Sequence, residues 1–518
     1  MPDRDHLSAL EYHERTKHSE EKLRRDRYAL DFPNQPLPFK IYEDLEPIPL
    51  ARDYPSRPLS ALAAIAAPVA AIESDGPERI PDLALLSRIL HLSAGITKRR
   101  RHPGGEIYFR AHPNTGALYH VDLYLATADL PDLPAGVYHF GPHDFALRRL
   151  RAGDFRATLA RASGGNPRIA RAPVVVASAS TFWRNAWKYR ERAWRHCFWD
   201  AGTLHANLLA AAGGEGLAPQ LVLGYADRDV ERLLGLDPAR EGSLALVPLG
   251  HLRQPPPEAP PMSELRLATR PLSRAEVDYP AIRAAHAASS LDAGAEAAAW
   301  RGAPPPRAEP APRGALVRLQ PLAEASLPRE PLDRVIHRRG STRAFDPSRS
   351  VSFEQLSTLL EAATRPIPAD FLDAPEATLV DLTVIAHAVD GLAPGAYALR
   401  RRDGALERLR EGHFRGEAGQ LALGQELAAD AAANVYALAD LAPVVARFGS
   451  RGYRAAQLEG GIVGGRLYLA AYALGFGATG LTFFDDEVTE FFSPHAAGEA
   501  VLFLTALGHP DRARLGLG

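Results

Sequence analysis

Asp144–Arg156 reads DFALRRLRAGDFR, and Asp403–Arg415 reads DGALERLREGHFR. Roughly two-thirds of the positions agree at an offset of about 260 residues, the mark of an internal repeat. The flanks agree in the same order. LPAGVYHF (Leu133–Phe140) precedes the first copy and LAPGAYAL (Leu392–Leu399) the second. DAGTLHANLL (Asp200–Leu209) lines up with EGGIVGGRLY (Glu459–Tyr468), and ADRDVERLLG (Ala226–Gly235) with DDEVTEFFS (Asp485–Ser493). LALVPLGH (Leu244–His251) matches LFLTALGH (Leu502–His509). Ordered matches at one long spacing describe a duplicated domain, because solenoid units run only about 20–50 residues.

Each half repeats one coarse pattern. A helical stretch (Leu83–Leu92; Ser352–Ala363) precedes an apolar strand (Val121–Ala126; Thr378–Ala386) and a hairpin around the Gly–Tyr motif. A long apolar helix (Asp200–Ala212; Gly461–Leu474) and a final strand (Ala245–Leu249; Ala500–Leu504) follow. Interleaved strands and helices predict an α+β or α/β layered sandwich. The Pro- and Ala-rich stretch Pro255–Arg313 reads as a surface crossover, with a helix-like patch over Arg274–Trp300 packed on a domain.

Composition removes several classes of function. Against 62 acidic residues stand 60 Lys and Arg, so no bulk charge draws the chain to nucleic acid or an acidic membrane. The one cysteine, Cys197, excludes an intrachain disulfide and any Cys-rich metal knuckle. The start is charged rather than signal-like, and no apolar run spans a bilayer, so a cytoplasmic location is expected. The histidines lack metal-ligand spacing, and neither a G-x-S-x-G elbow nor a Walker A loop occurs. Gly475–Gly480 fits G-x-G-x-x-G, but it follows a helix and precedes a β-like stretch, the reverse of a dinucleotide fold.

Features present in only one copy are not required by the fold. RRGSTRAF (Arg338–Phe345) opens the second half alone, ahead of an S-x-x-Q capping box at Ser352 and Gln355. Its arginines make a compact anion site, or a solvated basic helix end. RAHPNTGAL (Arg110–Leu118) gives the first half a polar loop whose backbone could bond a planar heterocycle, or a plain tight turn. Lys188–Tyr189 occupies the position of Arg447–Phe448. The pair could supply a base and a proton donor if nearby cations (Arg184, Arg190, Arg192, Arg195) lower the lysine pKa, or could lie on an exposed amphipathic helix.

These residues resemble the nitroreductase-like FMN flavoproteins. RRGSTRAF is similar to that family's R-x-S-x-R-x-F motif, and LGFGATGLTFFDDEV (Leu474–Val488) to its loop beneath the flavin. RAHPNTGALY, LPAGVYHF and the Lys–Tyr pair resemble the branch that dehydrogenates thiazoline or oxazoline rings in modified peptides. YHERTKHS (Tyr12–Ser19) resembles the leader of its long tandem members. The resemblance implies an α+β protein of two tandem three-layer α/β/α domains forming a pseudo-dimer within one chain. An N-terminal extension (1–60), a first domain (61–254), a crossover linker (255–325) and a second domain (326–518) follow from it.

It also implies a composite FMN site. Arg338, Arg339, Ser341 and Arg343 would hold phosphate, ribitol and ring edge; Gly480, Leu481 and Thr482 would approach the ring; Arg512 or Arg514 would add a phosphate contact. Pro113, Asn114 and Thr115 would come from the partner half, with Lys188 and Tyr189 as catalytic pair. The reciprocal site lacks both motifs, so one FMN per chain is expected. Asn114, His120 and Gly340 depart from the family's usual residues. The implied activity is dehydrogenation of an azoline-like or peptide-derived substrate. NAD(P)H-dependent reduction of a nitro group or quinone, and a non-catalytic flavin-binding or docking role, are the alternatives. No metal is expected, and the assembly is a monomer that could associate further.

Overall fold

The computed structural model describes residues 8–54, 56–66, 76–102, 105–306, 310–511 and 513–514. Each half is built on one antiparallel sheet. The first runs in the order Pro47–Pro49, Ala146–Ala152, Gly136–Gly141, Val121–Thr127, Val174–Thr181, Glu241–Leu249. The second repeats that order as Leu316–Arg318, Ala405–Glu411, Gly395–Arg400, Asp381–Ala386, Ala433–Ala439, Ala500–Gly508, and adds Gly477–Leu481 at its edge. Val121–Thr127, Val174–Thr181 and Glu241–Leu249 are buried at every residue. Both faces of the sheet are covered, which is why these strands read as apolar runs rather than alternating ones.

The expected helices are present, and the two long ones start earlier than expected. The first long helix is Ala193–Gly214. The second starts at Leu441, well before the expected Gly461, and runs 33 residues to Ala473 with a break at Gly449. Pro443 and four glycines up to Gly461 disguise it in the sequence. Pro443 sits in the first turn, where an amide N–H has no helical partner. Ser352 and Gln355 form the expected capping box on Phe353–Ala363.

The expected extension and linker turn out to be equivalent. The arm helix Ala9–Arg15 and the crossover helix Pro280–Ala288 each lie across the boundary between halves. Pro47–Pro49 and Leu316–Arg318 each add the outermost strand to a sheet. The duplicated unit therefore takes in the arm as well as the domain.

Two clasps show this most directly. Arg192 and Arg195 of the first half grip Asp485 of the second at 2.9 and 2.6 Å. Arg451 and Arg454 of the second grip Asp227 of the first at 2.6 and 2.7 Å. Each arm seals one clasp. Arg195 also donates to Thr16 Oγ1 and His13 O, and His18 N donates to Asp485 Oδ2. Arg454 likewise donates to Ser289 Oγ and His286 O, and Leu291 N donates to Asp227 Oδ2. Burial opposes the charge on both aspartates, but the flanking guanidinium groups prevail and hold both pKa values below the ordinary range.

Removing one partner of a buried ion pair strands the other charge. Asp485→Asn and Asp227→Asn are therefore each expected to lower stability by about 3–5 kcal/mol in urea unfolding. Because both carboxyls are held low, their contribution is complete above the unfolded-state pKa of about 3.9 and is lost as the pH falls further. A silent Asp227→Asn beside a damaging Asp485→Asn would show that the clasps are not equivalent.

Candidate functional site

The polar loop of the first half is pinned from behind. Thr203 Oγ1 donates to Pro113 O at 2.7 Å. Thr115 donates twice to Asp200, from its amide at 2.9 Å and its hydroxyl at 2.6 Å. Asp200 also pairs with His120 Nε2 at 2.8 Å, and His120 Nδ1 meets Ser180 Oγ at 2.8 Å. Asn114 Oδ1 accepts from Tyr119 N at 2.7 Å, whereas its buried Nδ2 has no partner. Gly116 takes a φ of 61°, and a Cβ there would stand 3.1 Å from the Tyr189 hydroxyl. The loop and the Lys–Tyr pair are thus in contact.

Lys188 and Tyr189 end the helix Phe182–Tyr189. Tyr189 packs edge-on against His196, with ring centres 4.4 Å apart. Burial, then Asp200, raises the phenol pKa above its ordinary value, and Arg343 offsets part of this. Lys188 is solvent-exposed at its surface, yet partial loss of water and then the Arg343 guanidinium lower its ammonium pKa. The cation acting on Lys188 thus comes from the other half. The four arginines expected to do so are otherwise engaged: Arg184 with Asp122, Arg190 with Asp26, Arg192 and Arg195 with Asp485.

The second half faces this loop with its own residues. Tyr468 is the hub: its hydroxyl accepts from Gly480 N at 2.5 Å and meets Ser341 Oγ at 3.2 Å. Arg339 is buried and donates to the carbonyls of Ala111 at 3.2 Å and Arg110 at 2.8 Å, fastening the loop to the second half. Leu481 is half-buried at the strand end, and the Thr482 carbonyl accepts from Gln425 at 3.5 Å. Arg338 is turned to Glu330 and the Tyr472 carbonyl, and Arg514 to Asp430 at 3.0 Å. Arg512 lies outside the described residues.

Among the described residues, exposed Arg343 and Lys188 have no carboxylate partner, and Gly480 is open to solvent. Two such cations, an unpartnered amide and exposed backbone between the halves suit a flat, anionic ligand, and in this sense fit the expected FMN.

The matching crevice on the other side is filled. There Asp370 of the second half accepts from Leu223 N and Gly224 N, both at 2.9 Å. A Cβ on Gly224 would stand 2.8 Å from Arg301 and 3.0 Å from Ala297 O. The Asp370 carboxyl is buried, and that burial pushes its pKa up to about 6.

Among the described residues, one histidine–carboxylate cluster, Asp227–Glu231–His286, is tight enough to suggest a metal. Both Asp227 oxygens are committed to guanidinium groups, so a cation there would face two positive charges. Cys197 is buried with its thiol pushed up to about 12, too basic for a nucleophile.

Asp200 and Tyr468 hold the candidate site in place without belonging to any motif, and His120, noted only as a departure from the family's usual residue, pairs with Asp200. The repeat held a signal for the first. Asp200 aligns with Glu459, which accepts from Thr378 Oγ1 at 2.5 Å and Leu379 N at 2.9 Å. Both copies thus use a helix carboxylate to pin a preceding loop.

Two antiparallel-sheet domains of one strand order, fastened together where Arg339 meets the first half's loop, define a tandem architecture. The Nitroreductase family description matches residues 77–251 and 336–509, and the chain belongs to this family of oxidoreductases. A solved nitroreductase-family chain from Anabaena variabilis shares 28% identity and a TM-score of 0.76, over 98% of this chain and all of that one. MJ1384 of Methanocaldococcus jannaschii, a protein of nitroreductase description, is 27% identical over 32% of this chain and 78% of its own length. The trifolitoxin-processing protein TfxB of Rhizobium leguminosarum is 29% identical over 33% of this chain. The match spans 48% of the length of TfxB. No helix among the described residues is long and apolar enough to cross a membrane.

Asp200→Ala would strand the Thr115 amide and the His120 ring. The expected cost is about 2–4 kcal/mol in urea unfolding, since each stranded buried group costs about 1–3 kcal/mol. Thr115→Ala leaves Asp200 with other donors and is expected to cost less than half as much. Equal losses would show that the carboxylate does not pin the loop.

Proposed function

We propose that the chain is an FMN-dependent oxidoreductase that dehydrogenates an azoline-like ring in a peptide-derived substrate, with one flavin per chain. The observation that carries this is the seam where Arg339 of the R-x-S-x-R stretch fastens the first half's polar loop by its Ala111 and Arg110 carbonyls, while Gly116 of that loop lies against the Tyr189 hydroxyl. The arginine motif, the loop and the Lys–Tyr pair therefore share one boundary between the halves. The similarity to a trifolitoxin-processing protein favours a role in processing a larger product over reduction of a free small molecule. Filling of the opposite crevice by Asp370 supports a single site.

FMN, when bound, supplies two-electron acceptance. Arg343 and Ser341 would hold its anionic and polar parts, the unpartnered Asn114 Nδ2 would donate to its ring, and exposed Gly480 would let the ring approach the backbone. Lys188, less basic than a free lysine, takes a proton from the substrate ring at its Nζ. Tyr189 stays protonated, because burial and Asp200 both oppose the phenolate, and its hydroxyl orients the substrate. The loop pinned by Asp200 closes the cleft behind them.

Flavin quantification on reconstituted protein is expected to give one FMN per chain; a reproducible ratio of two counts against the single-site reading. Lys188→Ala should keep that flavin while bleaching by a synthetic thiazoline peptide slows by about 10²–10⁴-fold. The rate should rise with pH through a Lys188 pKa below the usual 10.5. Arg343→Ala should move that limb to higher pH. Unchanged turnover in Lys188→Ala would end the base assignment. Flavin reduced only by NAD(P)H would favour the reductase reading.

A further inference from the structure

The turn that carries Lys188 and Tyr189 is held from outside by the N-terminal stretch. Tyr12 donates its hydroxyl to Glu191 O at 2.5 Å, and Arg15 Nε donates to Glu191 Oε2 at 2.7 Å. Trp187 Nε1 donates to Asp31 O at 3.0 Å, and the Tyr28 hydroxyl donates to Trp187 O. Arg190 pairs with Asp26, and its guanidinium lies 5.0 Å from the centre of the Tyr28 ring. Residues on both sides of Lys188–Tyr189 are therefore tied to residues 12–31.

Arg190 has an unusual backbone. Its φ is 49° and its ψ −133°, a conformation that belongs almost wholly to glycine. Its counterpart in the second half is Gly449, with φ 61° and ψ −165°. A Cβ at Gly449 would meet nothing within 4 Å, so backbone shape rather than crowding accounts for glycine there. The two copies share one turn, and only the copy bearing the Lys–Tyr pair keeps a large side chain in it. The two partners shown for that side chain, Asp26 and Tyr28, both belong to the N-terminal stretch. In the second half Arg447, in the Lys188 position, instead donates to the Trp300 and Arg301 carbonyls.

We infer that Arg190 is a positioning residue: it clamps the N-terminal stretch over the turn and so fixes where the Lys188 amine and Tyr189 hydroxyl point. The inference rests on the reading of Lys188 as proton acceptor.

The test uses the FMN-loaded full chain and its Arg190→Gly and Arg190→Lys variants. Glycine suits the backbone, so Arg190→Gly is expected to fold. Hydrogen–deuterium exchange in peptides covering 182–192 should quicken about tenfold in Arg190→Gly, with 441–451 unchanged. Flavin content should hold, and kcat for bleaching by the thiazoline peptide should fall at least about tenfold. Arg190→Lys, which can still reach Asp26, should recover most of both. Unchanged exchange, faster exchange with unchanged kcat, or a lysine variant no better than glycine would each overturn the inference. If the parent protein is not bleached by the thiazoline peptide, the azoline reading fails. The exchange comparison still decides whether Arg190 clamps the turn.

Discussion

Two glycines at the same position in the two copies let the halves meet. A Cβ on Gly202 would stand 2.6 Å from the Cα of Gly461, and one on Gly461 would stand 2.5 Å from the Trp199 carbonyl. Gly465 adds a third close approach, to Ala206 and Thr203. Nothing larger than glycine fits where the backbones of the long helices touch. Because Gly202 and Gly461 are counterparts, the pseudo-twofold axis of the duplicated chain runs between them. The clasps follow from that crossing. Arg192 and Arg195 lie as far before Gly202 as Arg451 and Arg454 lie before Gly461, so each pair reaches the aspartate of the opposite half. The seam where Arg339 of one half fastens the loop of the other forms at this separation.

Much of this was legible in the chain. The order of matched segments announces two copies of one sheet, and the strands at Val121–Thr127 and Ala500–Gly508 lie where apolar runs place them. The capping box at Ser352 was readable because its chemistry is local. The long second helix was not, because glycine propensity argues against a helix that buried packing then enforces. The repeat of the arm was hidden for another reason. His13, Thr16 and His18 correspond to His286, Ser289 and Leu291, and several of these bonds come from backbone carbonyls and amides. Backbone donors and acceptors leave no trace in side-chain identity. The candidate site was legible in part: the two motifs and the Lys–Tyr pair do converge, but Tyr468 and Asp200, which hold them, carry no motif.

Arginine content illustrates how far spacing can mislead. Arg338, Arg339 and Arg343 sit in one short stretch, yet they do three different things. One is paired with Glu330 on the surface, one fastens backbone carbonyls of the other half, and one is exposed with no carboxylate partner among the described residues. A guanidinium offers five donors in a fixed fork, so it serves carbonyls as readily as phosphates. Which it serves depends on the elements that surround it.

Fusion of the copies changes what each is free to become. In a symmetric dimer a residue that closes one crevice closes both. Here Asp370 fills one crevice, where it accepts two buried amides, while the other keeps Gly480 open. The same asymmetry marks the shared turn. Gly449 takes it without strain, whereas Arg190 takes it at a cost on the order of 1–3 kcal/mol. A conformation that costly persists where its surroundings enforce it, and here they are the N-terminal stretch gripping the turn. Stability is thus concentrated on the filled side and strain on the open side. Open cations, an unpartnered amide and a strained turn lie on one side of the axis, and a symmetric dimer could not hold them on one side alone.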